Sequence, residues 1–369
     1  MKEKIEKIGG LTIMMLLAGS IMLTGMPVSV AENSASEVNI DGFFDVATEI
    51  ISGTYYGTLT KDNPIEWYRC NISGNVEIRV YISSNEETDC EFYNANMTIK
   101  NNRFENDTWI ATYNILEYDC TYFNIFIPEN ISGPVKYEFT AVILKLDYAV
   151  IVRGGPISDS WFDDEADKAY NTLKARGYLD INIFYLSTNK NHPNVDYEAT
   201  KSNIDQVFTI LSVLGINKQL FVYFTDHGKN GGYFYLKDIN DLAAIRPWEI
   251  DAWLDQVLYS KCVIFIDACF SGDFIWQLSA TNRIVITSTD GSHYSYARIF
   301  TYEFFDSLRG GVSIGWAWED GDRDAYERKP GLMSPQIDDN GDRVGHGNIN
   351  QADTLPLGGD GYVARSTFL

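Results

Sequence analysis

Basic side chains are scarce in this sequence: 29 lysines and arginines face 51 aspartates and glutamates, for a formal charge of -22. A surface of that sign repels phosphate backbones, which argues against nucleic acid as a partner. Cationic substrates or bound metal ions suit it, although solubility alone accounts for it as well. Long apolar runs are lacking after the first 31 residues, so no later segment is expected to span a bilayer. Histidine (4) and cysteine (5) are few, so chemistry that needs imidazole or thiol has only a handful of addresses. Disorder is excluded as a general state by 45% hydrophobic and 22% charged residues.

The first 31 residues read as an export signal: Lys2, Lys4 and Lys7, an apolar run from Leu11 to about Met26, then Ser29-Val30-Ala31 at the cleavage positions. The alternative, an uncleaved anchor, needs about 20 apolar residues, more than this run supplies. Four glycan-acceptor sequons begin at Asn71, Asn96, Asn106 and Asn130. Cys70, Cys90 and Cys120 fall in the same region, which permits one disulfide and one free thiol, or three buried thiols. A secreted or extracytoplasmic chain with no membrane span after signal removal is the expectation.

Four segments follow from the patterning. Residues 1–31 are the signal. Residues 32–146 alternate with period two in runs such as Val76 to Ile82, Tyr122 to Ile127 and Tyr137 to Val142, separated by Asn, Gly, Ser and Pro clusters. This predicts an all-β sandwich, and Gly53 to Leu59 followed by Glu66 to Arg69 resembles the jelly-roll accessory domains of secreted peptidases. Residues 147–318 alternate continuous apolar strands (Tyr148 to Val152, Ile181 to Leu186, Leu220 to Phe224, Cys262 to Ile266, Arg283 to Thr287) with amphipathic helices (Ser160 to Arg176, Tyr197 to Leu214, Pro247 to Leu258, Ile299 to Leu308). That is an α/β unit with a mostly parallel sheet covered on both faces. Residues 319–369 read as an acidic tail rich in Gly and Asp, able to cover a site as a pro-segment.

Reactive groups in such sheets gather beyond the carboxyl ends of the strands. One apolar strand runs into Thr225-Asp226-His227-Gly228 and another into Asp267-Ala268-Cys269-Phe270-Ser271-Gly272. A thiol beside an imidazole can transfer acyl groups, and a glycine after the histidine lets a backbone amide approach a developing oxyanion. Cys262 reads as core, and His192, His293 and His346 as satisfied polar residues.

These two blocks, in this order and 42 residues apart, resemble the histidine-glycine and alanine-cysteine blocks of the caspase/legumain clan, nearest the legumain (C13) peptidases. The resemblance covers about Asp147 to Gly315. It implies a caspase-like fold and a cysteine endopeptidase with Cys269 as nucleophile and His227 as general acid/base. The amides of Gly228 and Cys269 would form the oxyanion hole, and a protein or peptide substrate would bind as an added strand. Ser288 and Ser292, in the stretch after the next strand, are the implied pocket-lining residues. Transamidation within the same clan, or a silent extracellular binding module, are the alternatives.

The family's orienting asparagine has no clear counterpart, so Asp163 and Asp226 are the candidates for holding the imidazole. Asp163-Asp164-Glu165 stand where the family selects asparagine, which suggests a basic or otherwise different P1 preference. In the tail, Asp338, Asn340 and Asp342 have the spacing of the first part of a calcium loop, but Arg343 replaces the expected glycine. Structural calcium is carried as an option; no cofactor is required by the chemistry.

Overall fold

The computed structural model describes residues 47–49, 53–70, 74–93, 103–105, 108–115, 121–129, 131, 134–215, 218–237, 243–347 and 359–369. The signal segment, the four sequon asparagines and Cys120 lie outside these residues. Two compact units meet at Lys145 and Leu146.

Strand pairing in the first unit follows the period-two pattern. One sheet holds β2 (Gly53–Leu59), β4 (Gly74–Ser84), β6 (Arg103–Glu105), β7 (Thr108–Ile115) and β9 (Val135–Lys145), ordered β2-β9-β4-β7-β6. The other holds β1 (Thr48–Glu49), β3 (Ile65–Cys70), β5 (Asp89–Tyr93) and β8 (Thr121–Phe126), ordered β1-β3-β8-β5. From β2 to β5, and again from β7 to β9, successive strands alternate between the sheets, as in a jelly roll. Leu59, Val80 and Phe139 of one sheet and Phe92, Phe123 and Ile125 of the other are fully buried in one cluster between them. Cys90 is fully buried in that core, and burial pushes its thiol far up.

The second unit begins with β10 (Tyr148–Arg153) and α1 (Trp161–Ala175), then β11 (Ile183–Ser187), β12 (Tyr197–Glu198) and α2 (Lys201–Leu214). It continues with β13 (Gln219–Thr225), the hairpin β14 (Gly228–Lys229) and β15 (Tyr233–Phe234), α3 (Pro247–Asp255) and β16 (Lys261–Asp267). The remainder is α4 (Ile275–Leu278), β17 (Arg283–Thr287), α5 (Phe300–Gly310), α6 (Ile314–Arg328), β18 (Gln336–Asp338) and α7 (Tyr362–Arg365). The sheet runs β12-β11-β10-β13-β16-β17-β18. Only β18 pairs antiparallel; every other ladder is parallel.

Alternate residues of each strand go to opposite faces. Val150, Val152, Val222, Phe224, Ile264 and Ile266 pack on α2 and α3 through Ile204, Phe208, Ile250 and Leu254. Ala149, Ile151, Phe221, Tyr223, Val263 and Phe265 pack on α1, α5 and α6 through Leu173, Phe304, Leu308 and Trp318. The chain leaves β10 for β11 and β12, then returns to lay β13 on β10's other side. That reversal opens a crevice beyond the carboxyl ends of β10 and β13, where open α/β sheets bind ligands.

Two expectations need correction. Tyr197 does not begin a helix: Tyr197 and Glu198 form an edge strand, and α2 starts after Thr200, whose hydroxyl caps the Asn203 amide at 3.1 Å. Residues 319–369 are not a separate tail. Ser313 caps α6, Trp318 is buried in the core, β18 extends the sheet, and Ala364 and Leu369 pack in the same cluster. Among the described residues, no helix is long and apolar enough to cross a membrane.

Candidate active site

Each residue pair in the β13–β16 ladder is offset by 42, from Gln219↔Lys261 to Thr225↔Asp267. The pairing runs one step further, with the Asp226 amide donating to the Asp267 carbonyl at 3.2 Å. His227 and Cys269 stand two residues past the last ladder pair on their two strands and share its offset of 42. Gly228 makes the approach sterically feasible: a Cβ there would strike the Cys269 carbonyl oxygen. The hairpin β14–β15 follows, with the Tyr235 amide donating to the His227 carbonyl at 3.1 Å.

The imidazole is held by a residue that the sequence did not single out. His227 Nε2 lies 2.9 Å from Asp159 Oδ2, and the edge of the Phe162 pair meets the ring at 5.1 Å between centroids and 88°. This leaves Nδ1 as the ring nitrogen open to proton exchange. Asp159 ends the loop after β10, and Arg153 builds that loop from inside. Its guanidinium donates to the carbonyls of Gly154 (2.8 Å), Gly155 (2.9 Å), Pro156 (3.2 Å) and Asp159 (3.0 Å).

The two expected orienting acids do other work. Asp163, one helical turn past Asp159, faces inward and pairs with buried Arg153 Nε at 2.8 Å. Asp226 is buried against Gly154 and Gly155 and accepts from the His227 backbone amide at 2.5 Å, not from the ring. Burial pushes its carboxyl well up. It thereby shapes the turn that presents His227. The acids that suggested a basic P1 preference are engaged as well: Asp163 with Arg153, Asp164 with Arg298, and Glu165 in the interior.

Cys269 is partly buried. Its thiol donates to the Ser295 carbonyl at 3.7 Å, so the segment after β17 runs directly past the sulfur. Burial pushes the thiol up; the backbone of Ser295 opposes this, the Asp267 carboxyl adds to it, and the backbone of Cys269 and Gly228 opposes it. The amides of these two residues are the expected oxyanion donors. Phe270 takes the left-handed region at φ 59°, which costs a residue with a Cβ about 1–2 kcal/mol. It is held there by its amide on the His293 carbonyl at 3.0 Å and by its ring on Tyr294 at 5.0 Å. Ser288 is fully buried beside the Asp267 carboxyl and lines no open surface, whereas Ser292 is exposed in a turn capped by Asp290.

His192, His293 and His346 pair with Asp167 (3.5 Å), Asp290 (2.7 Å) and Asp360 (2.6 Å). Asp338, Asn340 and Asp342 turn their oxygens on nearby amides: Gly341 and Arg343 donate to Asp338, Asp342 to Asn340, and Val344 to Asp342. Among the described residues, no group of three or more His, Cys, Asp or Glu side chains is arranged to hold a metal ion.

Asp159 and Ser295 are the site residues that the sequence left unmarked. Asp159 stands in Ser158-Asp159-Ser160, a plain helix-entry sequence, and the acid run after it is the louder signal. Nothing local marks Ser295.

Residues 194–323 match the model of the Peptidase C13 family. Among solved structures, caspase-1 from Spodoptera frugiperda is similar over 53% of this chain and 86% of its own, at 13% identity and a TM-score of 0.39. Among curated proteins, none matches. The stretch similar to the Peptidase C13 family lies within the α/β unit and includes both His227 and Cys269.

Proposed function

We propose that this chain is an exported cysteine endopeptidase that cleaves peptide bonds through a thioester on Cys269, with His227 as acid and base. The observation that supports the reading is the constant 42-residue register of β13 on β16, whose offset His227 and Cys269 share two residues past Thr225↔Asp267. The hold of Asp159 on His227 Nε2 supports it.

A buried thiol is largely protonated at rest, so its proton must leave as the sulfur attacks. His227 Nδ1 accepts that proton, and the Asp159 carboxylate stabilises the imidazolium through Nε2–H. The carbonyl oxygen of the substrate becomes an oxyanion that the Gly228 and Cys269 amides stabilise; one such donor typically contributes about 3 kcal/mol. The C–N bond breaks as Nδ1–H protonates the leaving amine. Water, deprotonated by the neutral imidazole, then resolves the thioester. The backbone of 293–298 is the edge along which an extended peptide would lie. Export rests on the first 31 residues and the sequons.

The test is labelling of the purified mature protein by a thiol-reactive peptidyl probe, with Cys269→Ala and His227→Ala alongside. Labelling confined to Cys269 and slowed without His227 is expected. A folded protein that takes no label would overturn the reading. Product analysis with and without an added amine separates hydrolysis from transamidation.

A further inference from the structure

The hairpin that follows His227 is held from both sides at its tip. Strands β14 and β15 share two residue pairs, Gly228↔Phe234 and Lys229↔Tyr233, and Asn230-Gly231-Gly232 joins them. So short a ladder has little stiffness of its own, and the hold on its tip sets how the strand with the Gly228 amide lies. Gly231 and Gly232 have φ 90° and 72°, the left-handed region that glycine adopts freely. On one side Arg246 donates to the carbonyls of Gly231 (2.6 Å) and Gly232 (2.8 Å), with its guanidinium over the Tyr233 ring at 3.7 Å. On the other side Asp273 Oδ2 accepts from the Gly231 amide at 2.6 Å.

Asp273 lies in the 3₁₀ turn Ser271–Phe274 that follows Cys269. Its own amide donates to the Phe270 carbonyl at 3.2 Å, and the Ser271 amide donates to the Ala268 carbonyl at 3.2 Å, so the carboxylate is anchored in the turn of the nucleophile. Gly231 and Asp273 both stand six residues past Thr225↔Asp267, and the offset of 42 closes once more at their hydrogen bond. The loop after β17 meets the same point. Asn230 Nδ2 donates to the Gly291 carbonyl at 2.9 Å, and a Cβ on Gly291 would strike Asp273 Oδ1. A Cβ on Gly272 would lie 2.5 Å from the Gly291 nitrogen. One carboxylate, which the proton transfers above do not use, therefore joins the turn after Cys269 to the hairpin after His227.

We propose that Asp273 is a positioning residue: by fastening the hairpin tip to the turn after Cys269, it fixes the Gly228 amide as an oxyanion donor relative to the sulfur. The kinetic arms of the test rest on the peptidase reading; a structural arm does not. Asp273→Ala removes the acceptor of the Gly231 amide, whereas Asp273→Asn keeps an oxygen there without the charge. A thermal melt of each variant verifies folding. Peptide hydrolysis and inhibition by a peptidyl aldehyde, whose thiol adduct carries its oxygen where the oxyanion forms, both read the Gly228 amide. Alkylation by iodoacetamide, in which the Cys269 sulfur displaces iodide and no oxyanion forms, reads the thiol alone. Hydrogen–deuterium exchange over residues 227–234, mapped by mass spectrometry, reads the hairpin.

Removing an oxyanion donor outright costs about a hundredfold or more, and displacing one costs less, so Asp273→Ala should lower kcat roughly tenfold with KM within about twofold. The aldehyde should bind weaker by a like factor, alkylation should stay within about twofold, and exchange over 227–234 should quicken. Asp273→Asn should return kcat to within about threefold of the wild type. A wild-type kcat in Asp273→Ala, hydrolysis and alkylation that fall together, or an Asn variant no better than Ala would overturn the proposal. If Asp273→Ala does not fold, the Asn variant decides: about a two- to threefold fall in kcat with unchanged alkylation supports it, and a wild-type kcat overturns it. If even the wild type neither hydrolyses peptide nor binds the aldehyde, the peptidase reading fails. The hold on the hairpin is then judged by exchange alone, and stands only if 227–234 exchanges faster in Ala and recovers in Asn.

Discussion

Asp159→Ala removes the one carboxylate on the His227 ring while leaving the strands that carry the dyad untouched. A hydrogen bond to a charged group contributes about 1.5–3 kcal/mol. Here both side chains are partly exposed, His227 at 33% and Asp159 at 18%, so solvent screening favours the lower half of that range. About 1.5–2 kcal/mol of transition-state stabilisation corresponds to a roughly 10- to 30-fold loss of kcat/KM. Asp159→Asn keeps an acceptor without the charge, and about a 3- to 5-fold loss is expected. The assay is the second-order rate of Cys269 labelling by the peptidyl probe, with kcat/KM on a peptide in parallel. Asp163→Ala is the control, because it leaves the Arg153 guanidinium buried beside an empty place. It should cost about 3–5 kcal/mol of stability and lower the melting temperature by roughly 6–15 °C, before any direct effect on the ring. If Asp159→Ala labels within twofold of the wild type, the orienting role is wrong.

Three further outcomes are expected. In His227→Ala, the alkylation rate of Cys269 should reach half its maximum above the ordinary thiol value of about 8.5, since burial favours the neutral form; a midpoint below it would contradict that assignment. Trp318→Ala should destabilise the α/β unit by about 3–5 kcal/mol in urea, because this indole of α6 is fully buried in the core, whereas an unchanged midpoint would contradict that burial. Calcium chelation should leave the melting temperature in place, because Asp338 is already committed to the Gly341 and Arg343 amides; a drop of several degrees would show a bound ion.

Much of the architecture was legible along the chain. Runs such as Phe221 to Phe224 and Val263 to Ile266 are apolar at every position because both faces of a parallel sheet are covered, and that pattern is local. Strands of two or three residues, such as β12 and β18, are too short to show any period. Helix α6 was hidden because eight of its fifteen residues, Glu319 to Tyr326, include four acids and a glycine, yet Gly321 is small because the Phe300 ring packs against it. That reason exists only once α5 lies beside α6.

The proposed dyad belongs to what the sequence by itself determined. His227 and Cys269 each end an apolar strand and precede small residues, and strand ends are where parallel sheets expose reactive groups. Which acid serves His227 was decided only by the tertiary structure. Asp159, Asp163 and Asp226 are chemically the same and close in sequence or beside the ring. They are told apart by the Arg153 guanidinium, which draws Asp163 inward and bends the loop that brings Asp159 to Nε2. The buried Glu165–Asp267 pair is likewise invisible in sequence, because 102 residues separate two carboxyls that share one hydrogen-bonded interior. Local pattern reports which face a residue presents; partner choice among identical groups depends on distance, and distance is set by the packed fold.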